Sequence, residues 1–219
     1  MDREKVRHDF DELARLAGGH SGSDRYDSFL IKLIPAEVKN VLEVGCGSGR
    51  FTGLLAANNW KVTALDLSPE MIAMARERVG PSVSFFCKDF FEEDFGGQKF
   101  DCIISAATLH HMSAGIAVPR MKELLNSGGT LIIHDLRSDD GVIDIARSFT
   151  AFAFNSFRQF LQTGHFRQPR AVREFWERHA AGETYLTVKE AAELADRWLP
   201  GARVIDHWLW RYTIVWKNE

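Results

Sequence analysis

The chain has 219 residues, of which 45% are hydrophobic and 26% are charged, and these ordinary globular values exclude a disordered, collagen-like or coiled-coil protein. Its 27 basic and 30 acidic residues give a formal net charge of −3. A protein whose main function is to bind nucleic acid usually has an excess of basic residues, because contacts with phosphates supply much of the binding affinity. We therefore expect no nucleic-acid partner.

Cysteine content and hydropathy indicate the cellular compartment in which we expect the protein. The three cysteines, Cys46, Cys87 and Cys102, form no CxxC pair, so neither a zinc site nor a disulfide framework is predicted from them. The opening MDREKVRHDF has no apolar stretch typical of a signal peptide. No apolar run approaches the roughly 18 residues that a membrane helix needs. We therefore expect a cytoplasmic protein without a membrane partner.

The first 36 residues have helical character. Apolar residues at helical spacing between positions 6 and 17 predict a first helix, which Gly18 and Gly19 end. A second helical stretch is predicted over about 23–34, before Pro35. We expect these helices to close one side of a ligand pocket in the region that follows.

From residue 41 the pattern alternates between strands and helices. Ser68 is placed to cap one of the helices, with Pro69 at its first helical position. Apolar strands that alternate with helices favour a parallel sheet covered on both faces. The predicted strands are VLEV (41–44), KVTALD (61–66), VSFFC (83–87), FDCIISA (100–106) and GTLIIHD (129–135).

The last third of the chain breaks this rhythm. Residues 141–180 are helical in composition and rich in aromatic side chains, which suits either a substrate lid or a helical pair packed on the sheet or on a second subunit. A helix is predicted at about 187–198. Two strands, at about 203–207 and 210–216, are joined by a tight turn and must therefore be antiparallel.

The strongest motif is VLEVGCGSG, residues 41–49. Its glycines permit a tight turn and let a ligand approach the backbone, and such turns at the carboxyl ends of strands are where open α/β sheets bind nucleotides. Asp66, at the end of the next strand, can accept hydrogen bonds from ribose hydroxyls. A dinucleotide fingerprint would need glycine where Arg50 stands. The nearby Glu43 suits a cationic ligand better than a pyrophosphate. A nucleoside cofactor without phosphate is therefore favoured over a dinucleotide or a plain turn.

The motif EVGCGSG followed by Asp66 resembles the class I S-adenosylmethionine-dependent methyltransferases, over about Val41 to Asp135. The resemblance implies a seven-stranded Rossmann-like α/β sheet, mostly parallel with an antiparallel C-terminal hairpin and with helices on both faces. S-adenosylmethionine is the implied cofactor. We predict one domain over 1–219, comprising N-terminal helices (1–36), a cofactor-binding core (37–137), a helical insert (138–182) and a final helix with the hairpin (183–219).

The resemblance also implies which residues bind the cofactor. The backbone of the glycine turn lies beside the methionine part, Asp66 holds the ribose, and the end of the fourth strand faces the methyl group. The alternative roles are a helix cap or a surface charge for Asp66, one of several carboxylates in the loop DFFEED for Asp89, and a core position for Met71. The implied cofactor-binding residues are Glu43, Gly45, Cys46, Gly47, Gly49, Asp66, Leu67, Met71, Asp89, Phe90, Ser105 and Ala106. His20, Arg25 or Tyr26 could reach the methionine carboxylate.

His110 and His111 follow the fourth strand, where the resemblance places the methyl acceptor. A histidine here could act as a general base or form a wall of the site. Two adjacent residues are a poor chelate, and Asp135 is followed by Leu136 rather than a second oxygen ligand, so no metal is predicted.

The acceptor class follows by exclusion. The amino-directed enzymes of the family carry a D/N-P-P-Y motif after the fourth strand, and the cytosine-5-directed enzymes carry a cysteine preceded by proline. This sequence has neither feature. A small molecule methylated on oxygen or nitrogen remains the favoured acceptor. A protein side chain, or a non-catalytic cofactor-binding subunit, are the alternatives. A monomer or a homodimer is expected.

Overall fold

The structure is a computed structural model that describes residues 2–17, 25–141, 144, 148, 150–151, 154, 161 and 170–219. The described helices are α1 (Arg3–Ala17), α2 (Asp27–Leu33), α3 (Arg50–Ala56), α4 (Pro69–Val79), α5 (Ala114–Glu123), α6 (Arg170–Ala180) and α7 (Val188–Trp198). A short 3₁₀ helix covers Leu109–His111. The strands are β1 (Asn40–Val44), β2 (Lys61–Asp66), β3 (Ser84–Cys87), β4 (Phe100–Ala106), β5 (Leu125–Leu136), β6 (Arg203–His207) and β7 (Arg211–Lys217).

The seven strands form one sheet in the order β3-β2-β1-β4-β5-β7-β6. The first five strands are parallel, and β7 is antiparallel to both β5 and β6. The predicted fold class is therefore confirmed. Because β1 lies between β2 and β4, chain order reverses there, and open α/β sheets bind ligands at the carboxyl ends of strands beside such a point.

Helices cover both faces of the sheet. Residues of α5 and α7 pack on one face, around Met121 and Ala191. Residues of α2 and α3 pack on the other, around Leu30 and Leu55. The central strands are consequently buried on both sides, which is why their sequences are continuous apolar runs.

Helices α1 and α6 form a further layer next to the start of α4. Phe175 of α6 packs with Leu13 of α1 and Met71 of α4 in a small third cluster. Arg178 of α6 pairs with Glu12 of α1 at 2.7 Å. The rest of the predicted insert lies largely outside the described residues. Among the helices that the structure describes, none combines the length and apolar character needed to cross a bilayer.

Candidate active site

A cavity of about 1160 Å³ opens at the carboxyl edge of the sheet, beside the point where strand order reverses. The glycine turn, the end of β2 and the 3₁₀ helix form its floor, and residues of α1 and α6 enclose it. The sequence-predicted site residues that line it are Glu43, Gly45, Cys46, Gly47, Asp66, Leu67, Met71, Asp89, Phe90, Ala106, His110 and His111.

Two predicted cofactor residues, Gly49 and Ser105, are not among the lining residues. Gly49 has φ 76° and is the N-cap residue before α3, and a Cβ there would lie 2.8 Å from the Cα of Ala75. Its lack of a side chain therefore lets α3 approach α4. Ser105 is fully buried within β4, opposite Val44 of β1.

The glycine turn is held against β2 by its own backbone. The amides of Gly45 and Cys46 both donate to the carbonyl of Leu65, at 2.9 and 3.0 Å. Gly45 has φ 78°, and a Cβ at this position would overlap the side chain of Thr108. Glycine is required here because both the backbone conformation and the close approach exclude a side chain.

Asp66 supports this turn as well as facing the cavity. Its Oδ2 accepts from the amide of Gly47 at 2.8 Å, and its Oδ1 accepts from the amide of Ser68 at 2.9 Å. Burial raises the pKa of Asp66, while these hydrogen bonds and one from the amide of Leu67 oppose that rise. The carboxylate thus orients the turn whether or not a ribose is bound.

Glu43 lies in β1 with only 2% of its surface exposed. Burial raises its pKa to about 8. Its Oε2 has no hydrogen-bond partner among the described residues. Arg50 lies nearby but is paired with Asp27 of α2. A buried carboxyl of this kind stays largely protonated at neutral pH, and a cationic ligand group would favour its ionised form.

Helix α1 is tied to the loop that follows β3. Arg3 Nη1 lies 2.7 Å from Asp89 Oδ2, and the amide of Phe91 donates to Asp89 Oδ1 at 2.8 Å. The buried side chains of Met71 and Phe90 provide apolar walls in the same part of the cavity. This part of the cavity can accommodate a flat apolar ring edged by a carboxylate.

A histidine–carboxylate pair lies beside the carboxyl ends of β4 and β5, and its histidine, His110, lines the cavity. His110 Nδ1 lies 2.6 Å from Asp135 Oδ1, and the His110 amide donates to Asp135 Oδ2 at 2.7 Å. Asp135 is buried, and its Oδ1 also accepts from the amide of Leu136 at 2.8 Å. An ionised carboxylate only accepts, so Nδ1 carries the hydrogen and Nε2 is left as an acceptor.

A strained turn after β4 places His110 beside Asp135. Ala107 has φ 54°, in the left-handed region, and its amide donates to the carbonyl of His134 at 2.7 Å. Thr108 then donates from its hydroxyl to the carbonyl of Ala106 at 3.1 Å. Sequence reasoning missed the roles of Ala107 and Asp135, although the place of Asp135 at the end of β5 was a usable signal.

His111 faces α6 and the segment that follows it. Burial, together with the neighbouring His110 and His179, lowers the pKa of His111 to about 2. Its Nδ1 lies 3.3 Å from Glu183 Oε2. The rings of His110 and His111 are 3.9 Å apart, and Tyr185 lies 5.0 Å from the His110 ring. These rings enclose the space beside His110.

Of the three N-terminal candidates for the methionine carboxylate, the two that the structure describes, Arg25 and Tyr26, are not among the residues that line the cavity. Tyr26 packs between His134 and His207, at centroid distances of 4.9 and 4.5 Å. The guanidinium of Arg25 lies over another aromatic ring, 5.5 Å from its centroid. His20 lies outside the described residues.

The donor groups present fit S-adenosylmethionine. That cofactor carries a sulfonium, an ammonium and a ribose, and it has no phosphate. The unpartnered buried oxygen of Glu43 suits a cation, whereas it would repel a pyrophosphate. The backbone of the glycine turn, which lines the cavity, and the carboxylate of Asp66 suit the polar parts, and the apolar walls suit an adenine.

Comparison with known proteins agrees with this geometry. The family model described as "Methyltransferase domain" matches residues 41–129. The malonyl-[acyl-carrier protein] O-methyltransferase of Acetivibrio thermocellus is 31% identical over 163 residues, covering 71% of this chain and 50% of its own length. The enzyme of the same name from Herminiimonas arsenicoxydans is 29% identical over 202 residues, covering 85% of this chain and 76% of its own length. The present chain therefore spans only half of the first of these relatives.

Among solved structures, the N-methyltransferase NodS from Bradyrhizobium japonicum in complex with S-adenosyl-L-homocysteine has the same fold. The TM-score is 0.60 with 17% identity, and the match covers 96% of this chain and 98% of that one. At this identity the likeness concerns the fold alone.

Proposed function

Because the chain belongs to the class I S-adenosylmethionine-dependent methyltransferases, we propose that it transfers a methyl group from S-adenosylmethionine to an oxygen or nitrogen of a small-molecule acceptor. One observation carries the proposal. His110, backed by Asp135 at 2.6 Å, lines the same cavity as the glycine turn and Asp66. A group able to accept a proton therefore shares one enclosed space with the residues that suit the donor.

The donor side of the cavity holds S-adenosylmethionine through groups already oriented by the fold. The backbone of Gly45 to Gly47 borders the methionine part, Asp66 accepts from the ribose hydroxyls, and Glu43 complements the positive charges. When bound, the cofactor supplies a methyl group made electrophilic by its sulfonium.

The acceptor side removes a proton and excludes water. His110 Nε2 accepts the proton of a hydroxyl, phenol or amine as the acceptor attacks, and Asp135 acts as a positioning residue that holds the imidazole in the required tautomer. His111 and Tyr185 form the walls beside it. Aligning the reactants contributes on the order of 7–11 kcal/mol, and a base adds roughly 10²- to 10⁴-fold in rate.

A second candidate acceptor is the malonyl carboxyl group on an acyl carrier protein, because two relatives bear that name. A carboxylate is already ionised at neutral pH and needs no base. The two candidates therefore differ in what they require of His110, and a single substitution separates them.

The test is a panel of phenols, alcohols, amines and malonyl-acyl carrier protein, incubated with donor labelled in its methyl group. Transfer of the label to a hydroxyl or amine acceptor, with a rate that falls roughly 10²- to 10⁴-fold in His110→Ala while donor affinity is retained, supports the proposal. His8→Ala, a change on the exposed face of α1, is the matched control and should keep full activity.

Other outcomes of the panel would contradict the proposal. Methylation of malonyl-acyl carrier protein alone, with a loss below about tenfold in His110→Ala, would assign the second function and leave His110 as a wall. Donor binding without label on any acceptor would indicate a non-catalytic cofactor-binding subunit.

A further inference from the structure

We propose that His111, His179 and Glu183 bind a divalent transition-metal ion, for which Zn²⁺ is the test ion, at the wall of the cavity beside His110. The three residues come from the 3₁₀ helix, from α6 and from the turn after α6. Each offers one ligand atom, and these atoms all lie within 4.8 Å of one another. This proposal goes beyond methyl transfer and departs from the sequence-based expectation that no metal binds.

The cluster is made of buried polar atoms that lack hydrogen bonds. His111 Nδ1, His179 Nε2 and Glu183 Oε2 are buried without a hydrogen-bond partner in the described part of the chain. His111 Nδ1 and Glu183 Oε2 are 3.3 Å apart, but they are not aligned as a hydrogen bond. An unpaired buried polar atom is costly, and three converging on one point are unusual for a purely structural cluster.

The donor set and spacing match those of a zinc site. Two imidazole nitrogens and one carboxylate oxygen are a common catalytic zinc set, with the fourth position open. Zinc bonds of about 2.1 Å in a tetrahedron place neighbouring ligand atoms roughly 3.4 Å apart. The 3.3 Å separation already has this value, and the 4.8 Å limit needs side-chain shifts of roughly 1 Å.

The surroundings supply the partner that metal-bound histidines normally have. His179 Nδ1 lies 3.0 Å from Asp9 Oδ2 on α1, and Asp9 is also paired with Lys5 at 3.0 Å. A carboxylate on the second ring nitrogen fixes the tautomer and directs the other nitrogen toward a metal. That other nitrogen is the unpartnered Nε2 of His179.

The position of the three ligands indicates that the open coordination site of the metal faces the cavity. His111 and His179 both line the cavity, and the His111 ring lies 3.9 Å from the ring of His110. A fourth ligand would therefore come from the acceptor side. An oxygen-bearing acceptor or a water is the ligand that such a site takes.

A second cluster on α1, comprising His8, Asp9 and Glu12, makes a useful contrast. The carboxylates of this second cluster already form ion pairs. Asp9 pairs with Lys5 and His179, and Glu12 pairs with Arg178. His8 is exposed. His8→Ala therefore serves as the matched control for removal of a histidine from the same region.

The experiment measures Zn²⁺ binding to the tag-free full chain, with neither donor nor acceptor present, by calorimetry and by metal analysis after dialysis. We expect one ion per chain. His179→Ala and Glu183→Gln should each weaken the affinity by at least about tenfold, and His8→Ala should leave it unchanged. Co²⁺ in place of zinc should show the visible absorption of a four-coordinate site in the wild type and lose it in Glu183→Gln.

Circular dichroism checks that the variants fold. If His179→Ala does not fold, Glu183→Gln still decides the question, because glutamine keeps the volume of the side chain. Failure to retain one ion per chain, or equal affinity in the wild type and Glu183→Gln, would overturn the site. Since no methyl transfer is measured, neither result depends on the proposed function.

Discussion

The buried Glu43 should make the stability of the ligand-free protein depend on pH, and Glu43→Gln should remove that dependence. Burial raises the pKa of Glu43 from 4.5 to about 8. Between these values the folded chain keeps a proton that the unfolded chain has lost. Stability contributed by this group therefore falls as pH rises from about 4.5, and the fall levels off above about 8.

The size of the effect follows from the two pKa values. Within that interval each pH unit lowers the free energy of unfolding by about 1.4 kcal/mol. Since the loss begins to level off near the folded-state pKa, the change between about pH 6 and about pH 8 is about 2 kcal/mol. Glutamine has nearly the same shape and does not ionise, so the variant should gain that amount relative to the wild type across the interval.

Urea unfolding at about pH 6, 7 and 8 measures this difference directly. Glu37→Gln, which alters an exposed glutamate in the same region of the chain, is the control and should follow the wild type at each pH. Parallel stability curves for the wild type and Glu43→Gln would show that Glu43 ionises at its ordinary pKa in the folded state. The reasoning from burial would then be refuted.

Three further predictions concern the turn and the helices above it. Asp66→Ala should weaken donor binding by at least about tenfold, since hydrogen bonds to a charged acceptor are worth roughly 1.5–3 kcal/mol each. The same change should lower the melting temperature, because the amide of Gly47 loses its acceptor. Calorimetry showing unchanged affinity would mean that the pocket is misplaced. Gly49→Ala should lower the melting temperature more than Gly47→Ala does. The reason is that a Cβ at Gly49 meets the backbone of Ala75, whereas a Cβ at Gly47 meets nothing within 4 Å. Equal melting temperatures of the two variants would count against this explanation. Amides of α6 should exchange faster than those of β1 in ligand-free protein, and equally slow exchange would identify α6 as a fixed structural element rather than a lid.

Local patterns in the sequence were sufficient to locate most of the sheet. The predicted bounds of β2 and β4 agree with the structure, at Lys61–Asp66 and Phe100–Ala106. The cap of α4 also agrees, since the Ser68 hydroxyl accepts from the amide of Met71 at 3.1 Å. These features depend on residues close together in the chain, where periodicity and capping preferences act directly.

The prediction for β5 began too late, at residue 129 rather than Leu125. The residues NSGG (126–129) have the composition of a turn, yet they belong to the strand. The pairing with β4 shifts register between Phe100 and Cys102. Leu125 pairs with Phe100 and Thr130 pairs with Cys102, so residues 126–129 form an irregularity without pairing to β4. Their turn-like composition fits this local departure, although the strand begins before them.

The sequence by itself determined the fold class, the glycine turn and the resemblance that points to S-adenosylmethionine, because each depends on short-range patterns. Only the tertiary structure decided which polar groups meet. Asp135 lies 25 residues from His110, and Asp9 lies 170 residues from His179. Such contacts depend on how strand ends align and how α1 packs against α6. No local periodicity encodes that packing, because it is set by the burial of side chains that are distant in the chain.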